Sequence, residues 1–167
     1  MIKYIGILML FVVCVRSGFL MSQRLKKRSE FLTYFISALF SVETEICFSA
    51  NNLKSIFLRL GKEENLHGFF SDCYKKIDEE GIKKVWDQAT DNVKEKACLN
   101  DKDINIIRQL GKELGMSDIQ GQKSAIERVC SLLKTNEAEA RDEYIRLSAV
   151  YRKCGFLAGI FIAIVMI

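Results

Sequence analysis

Residues 151–167 read YRKCGFLAGIFIAIVMI, and from Cys154 onward the stretch holds no charge and no strongly polar group. The residues before it are rich in Lys, Arg and Glu, so the chain changes its preferred solvent abruptly at this point. As a helix, the fourteen residues 154–167 rise only about 21 Å, short of the roughly 30 Å hydrocarbon core of a bilayer. A span this thin wants a neighbour.

The other end of the chain offers one. Residues 1–21, MIKYIGILMLFVVCVRSGFLM, are apolar except for Lys3, Arg16 and Ser17, and the run SQRLKKR follows, with Arg24, Lys26, Lys27 and Arg28. A cleaved signal peptide would carry its positive charge before the apolar run and a small-x-small site after it. Here the charge lies mainly after the run and no such site follows. A lipoprotein reading through Cys14 meets bulky Val13 where a small residue is required. The expectation is therefore a retained anchor, with Arg16 snorkelling toward the basic cluster.

Basic residues crowd the inner flank of both apolar segments: Arg24–Arg28 after the first, and Arg146, Arg152 and Lys153 before the second. By the positive-inside bias, both termini are expected outside and the centre in the cytoplasm. The expected organisation is an anchor at 1–23, a cytoplasmic helical domain at 24–152 and a second anchor at 153–167. The formal charge of +4 does not belong to the domain, because residues 29–153 hold 19 basic and 21 acidic residues. The excess sits beside the membrane, where Arg24, Lys26, Lys27 and Arg28 are expected to touch anionic lipid. With no Lys/Arg-rich folded face, nucleic-acid binding is not expected.

The search for chemistry finds little. Six cysteines (14, 47, 73, 98, 130 and 154) are widely spaced, no C-x-x-C occurs, and His67 is the one histidine. No metal site follows; small buried hydrophobes in a reducing compartment are expected. His67, beside Gly68, reads as a surface residue. LGKEEN (60–65) and LGKELG (110–115) contain Gly-Lys without phosphate-loop spacing, and both read as glycine-capped helix ends. Their likeness hints at a duplicated helical hairpin. Carboxylates are plentiful but scattered, so no acid/base pair, cofactor or enzymatic activity is expected.

The centre reads as helix throughout. There is no proline in the chain, and Gly, Asn and Asp punctuate it. The breaks predict helices over about 29–47, up to Leu60, 66–80, 82–97 and 101–114. A last helix starts at Ser117 or Asp118 and runs unbroken into the terminal segment. Leu32, Phe35, Leu39, Val42 and Ile46 form one apolar stripe; Ile126, Cys130, Leu133, Ala140, Tyr144, Leu147 and Tyr151 form another, interrupted by Glu137. The economical arrangement pairs these two helices antiparallel as continuations of the anchors. Glu137 reads as a solvated edge residue. Glu43 and Glu45 flank the first stripe as solvated acids or as charge presented to a basic partner. Gly155 and Gly159 form a small-xxx-small pair, able to pack against the first anchor or a partner span.

Three stretches then look familiar. VETEICFSANNLKSIFLRLG (42–61) resembles the L-E-x-E-I-x-Y…P-L-x-x-A-L segment of the stage III sporulation protein AB family. LGKELGMSDIQGQKSAI (110–126) resembles its L-G-x-x-D-x-x-x-Q-x-x-x-I segment. The tail resembles its Y-x-x-x-G-x-x-x-G motif through Tyr151, Gly155 and Gly159. Glu43, Glu45 and Ile46 match the first motif; Leu114, Gly115, Asp118, Gln122 and Ile126 match the second. Where the family commonly has Pro-Leu, this chain has Asn52-Leu53, and Asn can still cap a helix.

The resemblance implies a place in endospore-forming bacteria, in the mother-cell membrane around the forespore. There the family belongs to a multi-protein channel linking the two cells. Its helical domain is similar to the inner-membrane platform proteins of type II secretion and type IV pilus machines. Such platforms sit beside a secretion-type ATPase, for which stage III sporulation protein AA is the candidate. The expected fold is all-α, a cytoplasmic bundle of about six helices flanked by two transmembrane helices. The expected role is a non-enzymatic platform contacting the ATPase, other channel proteins and membrane lipids, with Glu43, Glu45, Asp118 and Gln122 as partner-contact candidates and homo-oligomers allowed. The competing expectation is a membrane-tethered lipid-surface or signalling adaptor using the basic cluster.

Overall fold

A computed structural model of the chain describes residues 2–48, 52–115 and 118–166. Six α-helices follow in order: α1 (Ile2–Phe48), α2 (Leu53–Leu60), α3 (Phe69–Glu80), α4 (Ile82–Lys96), α5 (Asp101–Glu113) and α6 (Ile119–Met166), with a 3₁₀ turn at Glu64–Leu66. No strand occurs among the described residues. The chain divides into two compact units, one of Met1–Lys27 with Glu139–Ile167, the other of Arg28–Ala138. The helix expected to begin near residue 29 is instead part of α1, because nothing from Ser22 to Ser29 can break a helix. The "SAN" of the expected first break and Ser117 lie outside the described residues.

Local chemistry explains the boundaries that are described. Asn52 caps α2 by accepting from the Lys54 amide at 3.3 Å. Asn100 and Asp103 form a reciprocal capping box at α5, with Asp103 N donating to Asn100 Oδ1 at 2.9 Å and Asn100 N to Asp103 Oδ2 at 3.2 Å. Asp118 caps α6 by accepting from the Gly121 amide at 3.0 Å. α3 starts at Phe69 rather than Leu66, because His67 and Gly68 both turn left-handed, at φ 51° and 83°. His67 is half-buried and its ring stacks on Phe31 at 6.2 Å, so it is not the free surface residue expected.

The two Gly-Lys pairs turn out to be unlike each other. Gly61 ends α2, but with ordinary helical φ; a Cβ there would lie 3.0 Å from Ser71 Cα. Gly111 lies inside α5, and the glycine just past the helix end in that stretch is Gly115, left-handed at φ 76°. A Cβ on Gly111 would sit 2.3 Å from Trp86 Cδ1, so glycine is there to admit the indole.

The Arg28–Ala138 unit is built around that indole. α3 packs on both α2 and α4, and α4 on α5. Phe35, Phe57, Phe69, Phe70 and Trp86 are all fully buried. Phe69 meets Trp86 edge-on at 4.8 Å and Phe35 meets Phe69 at 5.1 Å, near 90° in both cases, as ring quadrupoles prefer. Trp86 Nε1 donates to the Ile107 carbonyl at 2.8 Å, so the largest core side chain leaves no polar atom unpaired. The α1 stripe is buried here through Leu32, Phe35, Leu39, Val42 and Ile46, and the α6 stripe through Ile126, Cys130 and Leu133; further along α6, Ala140 is buried but Tyr144, Leu147 and Tyr151 are only half-buried.

The other unit is a helix pair. Gly18 and Gly155 meet so closely that a Cβ on Gly18 would lie 2.4 Å from the Tyr151 carbonyl oxygen, and one on Gly155 2.8 Å from that of Cys14. A Cβ on Gly159 would press the Phe11 ring at 2.7 Å, and Phe11 meets Phe156 edge-on at 5.8 Å. These contacts run in opposite sequence directions, so the pair is antiparallel. Its outer surface is apolar, with Leu8, Met9, Val13, Leu157, Phe161 and Ile164 all exposed.

Gly111→Ala forces the buried indole aside and is expected to lower stability by about 1–3 kcal/mol. Urea unfolding followed by Trp86 fluorescence measures this; an unchanged midpoint would mean that the indole can move freely.

Candidate functional site

The most tightly determined polar cluster lies inside the Arg28–Ala138 unit. Asp103 is fully buried, Arg28 is 7% exposed and Asn136 8% exposed. Arg28 Nε donates to Asp103 Oδ2 at 2.8 Å and Nη2 to Oδ1 at 3.3 Å. Asn136 Nδ2 donates to Asp103 Oδ1 at 2.7 Å. With the Asn100 amide on Oδ2, one carboxylate accepts from α1, from α6 and from the start of its own helix. A buried charge so surrounded is compensated, and removing one partner strands the other.

Arg28 is therefore buried and does not fit the lipid contact expected of it. The sequence grouped it with Arg24, Lys26 and Lys27, which are exposed. Arg28 lies one residue further along a helix, a step of about 100° that turns it into the bundle. The sequence also marked Glu137 as the polar intruder of its stripe. That carboxylate stands half-buried at the edge, accepting from Thr33 Oγ1 at 3.2 Å, while its neighbour Asn136 is the buried polar residue.

The four partner-contact candidates have separate surroundings in this unit. Glu43 is half-buried and helps to raise the thiol pKa of Cys130 in α6. Glu45 is ion-paired with Arg59 of α2 and is partly occupied inside the fold. Asp118 is exposed as the α6 cap, Gln122 is half-buried one turn on, and Ile119 between them is 53% exposed. A groove of about 160 Å³ elsewhere on the unit is lined by Tyr34, Ser37, Ser41, Leu60, Glu63 and Asn65. Among the described residues, no three His, Cys, Asp or Glu are grouped to hold a metal. The six cysteines carry no disulfide. Burial first, then the Glu43 carboxylate, pushes the Cys130 thiol up to about 11, and burial raises Cys73 as well. Neither is a nucleophile near neutral pH.

Gly155 and Gly159, singled out for membrane packing, lie in the other unit against Gly18 and Phe11. Buried Ser22 and Ser148 extend this line of small residues.

A helical bundle with a fully satisfied polar knot, plus a helix pair whose apolar surface is open, defines an all-helical protein with two helices long and apolar enough to cross a membrane. The chain belongs to the stage III sporulation protein AB family, whose model matches residues 3–167. It is 25% identical over 171 residues to stage III sporulation protein AB of Bacillus subtilis (strain 168), covering 99% of each chain. It also resembles a solved structure of stage III sporulation protein AB, with a TM-score of 0.65 and 23% identity, across 71% of this chain and 96% of that one. That likeness bears on the fold.

Asp103→Ala leaves buried Arg28 without its carboxylate and is expected to cost about 3–5 kcal/mol in urea unfolding. A loss below about 1 kcal/mol would mean that water reaches and solvates Arg28. The thiols predict a pH effect of definite sign. Between about pH 9 and about pH 11, unfolded chains lose the Cys130 proton that folded chains keep, so stability falls as pH rises. Cys130→Ala should flatten part of that slope; an unaltered slope would contradict the assignment.

Proposed function

We propose that this protein is a non-catalytic membrane platform of the sporulation machinery. The paired ends of α1 and α6 span the mother-cell membrane around the forespore, both termini lie outside the cytoplasm, and the Arg28–Ala138 bundle lies in the cytoplasm. The bundle acts by contact, with a secretion-type ATPase (stage III sporulation protein AA) and with other proteins of the channel joining the two cells.

The observation that carries this reading is the surface of the helix pair. Large apolar side chains from both helices face outward around a close-packed glycine seam. Water would solvate that surface poorly, whereas lipid matches it. Membership of a sporulation family supplies the setting. Glu43, Glu45, Asp118 and Gln122 are the candidate docking residues of the bundle, with exposed Ile119 beside Asp118 as an apolar contact. The exposure of Arg24, Lys26 and Lys27 favours a second reading, a lipid-tethered adaptor that needs no ATPase.

A membrane pull-down from sporulating cells, with the protein tagged at its amino terminus, separates the two. The platform reading expects a secretion-type ATPase in the eluate and its loss with Glu43→Gln/Glu45→Gln. The partly exposed Glu45–Arg59 pair contributes roughly 0–1 kcal/mol, so this variant should stay folded. Absence of the ATPase after mild crosslinking would favour the adaptor. Equal recovery by both proteins would move the docking edge elsewhere.

A further inference from the structure

We propose that Arg16, Arg152 and Lys153 form a single cationic collar around the helix pair that gathers anionic phospholipid head groups; this rests on the pair being membrane-inserted. In sequence the three belong to different segments, 136 and 137 residues apart by subtraction of their numbers. The glycine seam brings them to one level. Gly18 lies against Tyr151 and Gly155, and Gly155 lies against Cys14 and Gly18. The midpoint of 151 and 155 is Lys153, which therefore stands level with Gly18; the midpoint of 14 and 18 is Arg16, level with Gly155. At about 1.5 Å per residue, Arg16, Lys153 and Arg152 fall within roughly 5 Å of axis.

Their direction follows from the same contacts. Arg16 is two residues from both Cys14 and Gly18, which face the seam, so it lies on the far side of α1, and Lys153 lies likewise on α6. All three are exposed. They radiate from the pair as a collar and do not converge on one pocket. Apolar side chains flank the collar on both sides: Val12, Val13, Phe156 and Leu157 beyond it, and Phe19, Leu20, Met21 and Val150 before it.

Neither helix of the pair supplies a carboxylate side chain at this level, since residues 1–29 and 144–167 contain no Asp or Glu. The opposite charge must come from the surroundings, and for a collar set in an apolar sleeve the surroundings are lipid phosphates. A second cationic tier, Arg24, Lys26 and Lys27, lies about 12 Å further along α1. A single phosphate layer cannot meet both tiers. Seating it on the lower tier would leave three cations in hydrocarbon, at a substantial cost. Seating it on the collar leaves Arg24, Lys26 and Lys27 in water, where cations are well solvated. The collar therefore sets the depth of the pair and enriches the lipids touching it in negative charge.

Electron paramagnetic resonance of spin-labelled phosphatidylglycerol and phosphatidylcholine tests this, with the full chain in vesicles of both lipids at low salt. The wild type should show motionally restricted lipid, with a preference for phosphatidylglycerol of roughly fivefold, the attraction of one basic side chain. Arg16→Gln/Arg152→Gln/Lys153→Gln should retain restricted lipid but lose the preference, while Arg16→Lys/Arg152→Lys keeps it. Arg24→Gln/Lys26→Gln/Lys27→Gln should also keep it, and soluble glycerol phosphate should not compete. Restricted lipid without preference in the wild type would overturn the collar, as would a preference lost only in the Arg24 variant or competed away by glycerol phosphate. No restricted lipid at all would overturn membrane insertion itself, and the collar with it.

Discussion

One carboxylate, that of Asp103, holds the bundle to its register. It sits fully buried, takes two hydrogen bonds from Arg28 of α1 and one from Asn136 of α6, and closes the capping box of its own helix. Apolar stripes alone would let α1 and α6 slide past each other by a turn at modest cost, since a slid stripe still meets apolar partners. A charge that must find its partner in a dry interior does not permit that slip. The aromatic cluster around Trp86 supplies the largest fully buried side chains, and the knot fixes which surfaces it buries.

The helix pair is governed by a different constraint, the absence of side chains. Gly18 and Gly155 let two backbones touch, a packing that holds helices together even where no hydrophobic drive is available. The same contact fixes the relative heights of every residue on the two helices. Charges that are unrelated in sequence thereby acquire a common level, and apolar side chains are turned outward together. In this way one local feature decides what the surface of the pair can meet.

Much of this was legible in the residues. Gly81, Gly115 and the Asn100–Asp103 cap marked helix ends correctly because each carries its own local chemistry. The two stripes marked the buried faces of α1 and α6 because periodicity is a property of a single helix. What the sequence hid were relations between segments. Arg28 looked like its basic neighbours until a partner 75 residues away claimed it. Asp103 already had a sufficient local role as a cap, so its second role gave no separate signal. Gly111 resembled Gly61 in its Leu-Gly-Lys context, yet one makes room for an indole and the other for a backbone. Glu137 drew notice as the polar residue in an apolar repeat, while the buried one was its neighbour Asn136.

The central claim is that the helix pair crosses the membrane and leaves the bundle on the cytoplasmic side. Cys98, half-buried in the turn between α4 and α5, reports on it without any substitution. The decisive measurement is labelling of intact and lysed cells with a membrane-impermeant maleimide, read residue by residue by mass spectrometry. The account predicts that Cys98 is untouched in intact cells and modified after lysis. Modification of Cys98 in intact cells would place the bundle outside and contradict the account.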